Sequence, residues 1–180
     1  LSQAVVAALL RRFRTGVGAT IEISMLEATV EWMGHALYTQ MHTGSQPARM
    51  GLSHSSIAPY DRFPTSDGEI LIGVQSDSGW RALVIDVLEA AELANDPRFA
   101  TNVARVVHRA ECDAEVGART RRWSTRQLDA RLDAAGIPAA EIRTLAHVVD
   151  HEQLRARKRW RHIEIERGTV QALLPPATFD

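Results

Sequence analysis

With 180 residues, 45% of them hydrophobic, the chain is long enough to bury a sizeable core in one or two domains. A formal net charge of -1, with arginines interleaved among acids throughout, excludes the broad basic surplus of a nucleic-acid binder. Cys112 is single and cannot close an internal disulfide, no Cys/His cluster suits zinc, no signal-peptide pattern opens the chain and no apolar run approaches the ~20 residues that span a bilayer, so a cytoplasmic protein with no metal and no membrane partner is expected.

Ala4, Val5, Ala8, Leu9 and Phe13 recur at helical spacing, and Arg11, Arg12 and Arg14 place positive charge where the helix dipole favours it, so a first helix ends near Arg14. Gly16 and Gly18 allow a sharp reversal, Ile21 and Ile23 alternate with Thr20 and Glu22 as a short strand does, and Ser24 with Glu27 has the pattern of a capping box. A single helix is then expected from Met25 to about Thr43, carrying Leu26, Val30, Trp32, Met33, Leu37 and Met41 on a broad apolar surface. Gly44 to Ala58, rich in Ser, Gly and Pro, reads as a loop.

Tyr60–Phe63 and Glu69–Val74 flank an Asp67-Gly68 turn signal and predict a hairpin. Ser78 is expected to cap a helix through Trp80, Leu83, Val84, Val87 and Leu88. A further helix should run to about Arg122 with Val103, Val106, Val107, Cys112 and Val116 on its inner face. Ser124-Thr125 caps a helix through Leu128 and Leu132 that Gly136 and Pro138 close. Ala139–Ile142 reads as a strand, Leu145–Val149 and Glu152–Ala156 as helical turns, and Trp160–Glu166 with Val170–Leu174 as a second hairpin.

Helices and hairpins segregated in this way predict an α+β fold, with a boundary in the Gly44–Ala58 loop. Residues 1–58 look incomplete alone, because one short strand between two helices has nothing to pair with; residues 59–180 can close a small core of their own. The chain opens at Leu1, inside a helical pattern, and reads as a piece of something longer. Lys158 is the only lysine among 21 basic residues, and the heavy use of Ala and Arg points to a GC-rich bacterial genome.

Five ordered passages resemble the family III coenzyme A transferases, the group that includes formyl-CoA transferase and α-methylacyl-CoA racemase. They are Ala7–Ala28 with its Thr15-Gly-Val-Gly18 turn, Tyr60 through Asp67-Gly68 to Ile72-Gly73-Val74, Trp80 followed by Asp96-Pro97-Arg98-Phe99, Asn102 and Arg105, then Ala135–Ala139, and the closing Gly168 to Leu174-Pro175-Pro176. The resemblance implies a helix–strand–helix piece of a large Rossmann-like domain over 1–58 and the family's small α+β domain over 59–180. It implies CoA transfer from an acyl-CoA to a small carboxylic acid through an aspartyl mixed anhydride, with the CoA thioester as substrate and no permanently bound cofactor. The nucleophilic aspartate is expected upstream of Leu1, so none of the catalytic residues is expected in this chain. An interlocked homodimer is implied as well, which leaves apolar surface along Ala4–Phe13 and Leu26–Met41 for the rest of the assembly.

By resemblance the substrate-binding loop comprises Arg49, Gly51, Ser53, His54, Ser55, Ser56 and Tyr60. Serines and a histidine stand here where formyl-CoA transferase has consecutive glycines, and the stretch looks more like the branch that pairs succinyl-CoA with C4–C5 dicarboxylates. Hydroxyls, N–H groups and an imidazole can bind a carboxylate and shield an anhydride from water. From the residues alone His54 is an ordinary exposed loop histidine; the resemblance puts it equally in the site. Arg49 offers a fork to a carboxylate, although a solvated arginine is the simpler reading. His35 and His42 lack a third ligand and read as helix-surface residues. Asp77 reads as helix entry, Arg155–Arg161 as a solvated turn, and Trp80, Trp123 and Trp160 as core or interface anchors. Two alternatives stay open: a racemase-like enzyme, and a non-catalytic assembly module.

Overall fold

A computed structural model describes residues 1–177, and the chain divides into two compact units, Leu1–Arg49 and the residues from Met50 onward. In the first unit, α1 (Ser2–Thr15) carries Arg12 and Arg14 in its last turn and ends on Gly16, whose φ of 73° is left-handed and whose N–H bonds the Arg12 carbonyl at 2.8 Å. The strand expected around Ile21 and Ile23 does not form: residues 17–24 are irregular, because an isolated strand leaves its backbone groups without a ladder partner, and none among the described residues supplies one.

Ser24 caps α2 (Met25–Trp32), its Oγ accepting the Glu27 N–H at 3.4 Å. The single helix expected to Thr43 is two, since Met33 leaves helical geometry (ψ 6°) just before Gly34, the poorest helix former of the stretch, and α3 (Gly34–Thr43) restarts there. No residue of α1, α2 or α3 is buried. Phe13 and Trp32 are 89% and 93% exposed, so the roughly 1.5–3 kcal/mol that burying such a side chain contributes is not realised within this unit.

The second unit is α+β. β1 (Tyr60–Pro64) and β2 (Glu69–Gly73) form the expected hairpin, pairing Tyr60 with Gly73 and Pro64 with Glu69, and β3 (Ala139–Glu141) adds antiparallel to the other edge of β2. Asp67 in the turn accepts from the Thr125 N–H (2.7 Å) and Oγ1 (2.8 Å), which ties the hairpin to α7 (Thr125–Ala134) and holds the Asp67 carboxyl below its ordinary range. Period-two alternation sends Phe63, Ile70 and Ile72 into the core.

Ser76, two residues earlier than expected, caps α4 (Asp77–Ala82) by accepting the Gly79 N–H at 3.0 Å. Its helix continues as a π-helical turn (Leu83–Val87) whose Leu88 N–H bonds Leu83 at 2.9 Å, and both bury Trp80, Leu83, Val84 and Val87. A 3₁₀ turn (Ala91–Asn95) follows.

The helix expected to Arg122 is broken at His108 into α5 (Asn102–Val107) and α6 (Arg109–Thr120). Cys112 and Val116 are buried as expected, but Val103 and Val107 are each 73% exposed, and the buried residue of α5 is Arg105. The break lets α5 turn its polar Asn102–Arg105 face inward while α6 packs on β1. Ser124 and Gln127 form a full capping box on α7, which packs on β2, β3 and the π turn. The helical turns α8 (Leu145–Val149) and α9 (Glu152–Ala156) lead to the second hairpin, β4 (Trp160–Ile165) and β5 (Gly168–Leu173).

Gly73 leaves no room for a side chain: a Cβ there lies 2.8 Å from the ring of Tyr60, its partner across the strand pair. Gly73→Ala is therefore expected to destabilise the protein by about 1–3 kcal/mol through overpacking, read as a lowered urea midpoint with an unchanged slope. A midpoint equal to the parent's counts against the ring-on-glycine contact.

Candidate functional site

Of the residues expected to bind substrate, Arg49 is exposed and closes the first unit, whereas Gly51, Ser53, His54, Ser55, Ser56 and Tyr60 lie together at the start of the second. The loop turns at Gly51, whose φ of 63° favours glycine, as the Ser53 N–H reaches the Met50 carbonyl at 3.0 Å. It then runs beside the sheet: the His54 N–H bonds the Tyr60 carbonyl (3.2 Å), and the Val74 N–H bonds that of Pro59 (3.0 Å).

His54 is exposed and packs against Tyr60, ring centroids 5.4 Å apart. Its Nδ1 lies 3.2 Å from the Ser56 backbone nitrogen and 3.4 Å from the Ser56 Oγ. A backbone N–H only donates, so Nδ1 is the acceptor and the proton of the neutral imidazole sits on Nε2.

The loop has no secondary structure of its own; side chains from α5 and α6 hold it. Asn102 accepts the Ala58 N–H on Oδ1 (3.2 Å) and donates Nδ2–H to the Ser56 carbonyl (2.9 Å). Arg105, fully buried, donates from Nε to the Ala58 carbonyl (2.6 Å), from Nη1 to the Phe99 carbonyl (2.8 Å) and from Nη2 to Asp77 (2.9 Å), with its guanidinium 5.1 Å from the centre of the Trp80 ring. Asp77, expected only as helix entry, also accepts the Asn102 N–H at 2.7 Å. Arg109 donates to the Ser53 Oγ (3.1 Å) and the His54 carbonyl (2.7 Å). These anchors are absent from the substrate-binding residues expected from sequence; their signal is the i, i+3 spacing of Asn102 and Arg105, which places an amide and a guanidinium on one helix face.

One turn beyond Arg109, Asp113 keeps a carboxylate oxygen buried without a hydrogen-bond partner among the described residues, beside a cleft of about 350 Å³ that Asp61, Arg62 and Arg121 also line. Burial pushes its pKa from 3.8 up to about 6; Arg109 opposes that rise and Asp61 adds to it. Burial likewise pushes the Cys112 thiol up to about 12, which leaves it an unreactive core residue. A larger groove of about 860 Å³ lies elsewhere, lined by Glu69, Asp129, Glu141, Arg143, His147 and His151 among others; it includes no residue of the Gly51–Tyr60 loop. Among the described residues no three His, Cys, Asp or Glu side chains converge on a metal position, and no helix is long and apolar enough to cross a membrane.

The second unit is thus an α+β fold whose polar Gly51–Tyr60 loop is anchored from behind by Asn102, Arg105 and Arg109. The CoA-transferase family III model matches residues 1–180, and the chain belongs to that family. It is 31% identical over 167 residues to a succinate–glutarate CoA-transferase of Agrobacterium fabrum, covering 93% of this chain and 42% of the relative, and 35% identical over 154 residues to an acetyl-CoA:oxalate CoA-transferase of Acetobacter aceti, covering 85% and 39%. The crystal structure of a CaiB/BaiF family protein from Brucella suis superposes with a TM-score of 0.79 at 36% identity, over 98% of this chain and 45% of that one. The chain thus spans about two fifths of the length of the relatives it matches.

Asp113 sets a sign for pH dependence. The folded protein keeps its proton to about pH 6 and the unfolded chain releases it near 3.8, so this group lowers stability as pH rises through that window. Discounted for its exposed part, the loss is on the order of 1 kcal/mol. Urea unfolding at a series of pH values should show the parent losing stability relative to Asp113→Asn between about pH 4 and 6; parallel curves would sink this account.

Proposed function

We propose that this chain is part of an enzyme that moves CoA from an acyl-CoA donor to a carboxylic acid, and that the Gly51–Tyr60 loop meets the acid. The observation that carries this reading is the loop in a family III chain: exposed hydroxyls and an imidazole whose backbone is held by Asn102, Arg105 and Arg109. Such a surface offers donors in fixed positions to an anion and spends none of its own backbone groups on it.

In this reading a carboxylate attacks the thioester carbonyl, a C–O bond forms as the C–S bond breaks, and the thiolate leaves with the electron pair. The incoming acid's carboxylate then attacks the aspartyl carbonyl of that anhydride and expels the donor's acid as its carboxylate. The thiolate attacks the incoming acyl carbonyl, forming the new C–S bond as the aspartate departs. The nucleophile is an aspartate outside these 180 residues. Every nucleophile and leaving group is already an anion, so the exchange needs no general base. Acids of the succinate and glutarate class fit the reading, since the Agrobacterium relative is named for those two dicarboxylates and the polar loop suits a second carboxylate. An interlocked homodimer in the cytoplasm completes it, covering residues such as Phe13, Leu26 and Trp32 that this unit leaves in water.

Incubating the intact protein with succinyl-CoA and a panel of glutarate, mesaconate, itaconate, oxalate and formate, and following thioesters by mass spectrometry, should yield a new dicarboxyl-CoA. Racemisation of a 2-methylacyl-CoA without exchange would move the protein to the racemase class, and neither activity would leave an assembly module. The native mass of the intact protein should be that of two chains; a monomer contradicts the interlocked assembly.

A further inference from the structure

We propose that Asn102, Arg105 and Arg109 are positioning residues that set His54 as an Nε2–H donor to a carboxylate of the acid substrate. The inference rests on the transferase reading above and adds the atom, its protonation and what holds it.

Two constraints meet at the imidazole. The Ser56 N–H, 3.2 Å from Nδ1, fixes the neutral tautomer, and that N–H stays where it is because the Ser56 carbonyl and the Ala58 N–H are both held by Asn102. From the other side, Arg109 holds the His54 carbonyl itself at 2.7 Å, and Tyr60 backs the ring. Arg105 fixes the end of the loop through the Ala58 carbonyl, and Asp77 joins it to Asn102 by accepting from both. With Nδ1 capped, the imidazole faces solvent with a donor and no acceptor. A base needs a free lone pair; a carboxylate needs a hydrogen-bond donor.

The test uses the intact protein with succinyl-CoA and the acid that it accepts. His54→Ala should raise KM for the acid about 10- to 100-fold, the factor that a hydrogen bond to a charged group carries, with a smaller change in kcat. His54→Gln, whose amide N–H replaces the Nε2–H, should restore most of that loss, and kcat should show no histidine-dependent rise with pH. Asn102→Ala and Arg109→Ala, each checked for native secondary structure, should raise KM about 10-fold. In long-range ¹H–¹⁵N spectra the parent's His54 should carry its proton on Nε2, and Asn102→Ala should shift it to a mixture of tautomers. An unchanged KM in His54→Ala and Asn102→Ala, a parent imidazole protonated on Nδ1, or a collapse of kcat in His54→Gln overturns the inference while transfer by the parent stands. A parent that transfers CoA to no acid removes the functional reading and the inference with it.

Discussion

A guanidinium with none of its surface in water needs acceptors for the hydrogens it no longer gives to solvent, and the second unit is arranged to supply them to Arg105. Two are backbone carbonyls, Ala58 and Phe99, and one is the Asp77 carboxylate, while the Trp80 ring lies against the cation. The two carbonyls belong to segments about 40 residues apart in the chain, and Asp77 opens α4 between them. One buried charge therefore joins the end of the loop, the start of α4 and the turn before α5. Because Asp77 is half exposed and Arg105 is not, the carboxylate keeps part of its hydration and the cation bears most of the desolvation.

The loop profits from that arrangement without contributing a ladder of its own. A chain of serines between a glycine turn and a proline has no propensity to hold one shape, yet Ser56, Ala58, Ser53 and His54 each give a group to Asn102, Arg105 or Arg109. With the Ser53 hydroxyl and the loop backbone held from behind, His54, Ser55 and Ser56 remain exposed. The proposed exchange of thiolates and carboxylates calls for oriented donors more than for a proton acceptor, and the local chemistry of His54 fits that proposal.

The two units stand on different physical footings. The second encloses Trp80, Phe99, Ile70, Ile72, Leu128 and Leu132 in one core, and each such side chain contributes burial of a few kcal/mol. The helices of the first unit carry apolar faces, with Ser24 capping the start of α2 and Gly16 and Gly44 the ends of α1 and α3. Helices of this length are marginal in water on local signals alone, and no residue of theirs is buried among the described residues.

Most of the architecture was legible because its causes are local. Gly16, Gly44 and Gly136 stop helices through their left-handed φ, Ser24 and Ser124 start them through their hydroxyls, and Asp67-Gly68 turns a hairpin whose alternation already separates Ile70 and Ile72 from Leu71. The irregular course of the Gly44–Ala58 stretch was legible too, through its Ser, Gly and Pro content. What the sequence could not show were effects of groups distant along the chain. Periodicity placed Val103 and Val107 inside, yet the break at His108 and the acceptors offered by Ala58, Phe99 and Asp77 turn Arg105 inward instead. Ile21 and Ile23 alternate like a strand and remain irregular, since a strand exists only where a neighbour accepts its hydrogen bonds. Residue order thus determined the helices, turns and alternating faces; only the tertiary structure decided which polar groups met, because that depends on where segments tens of residues apart are brought together.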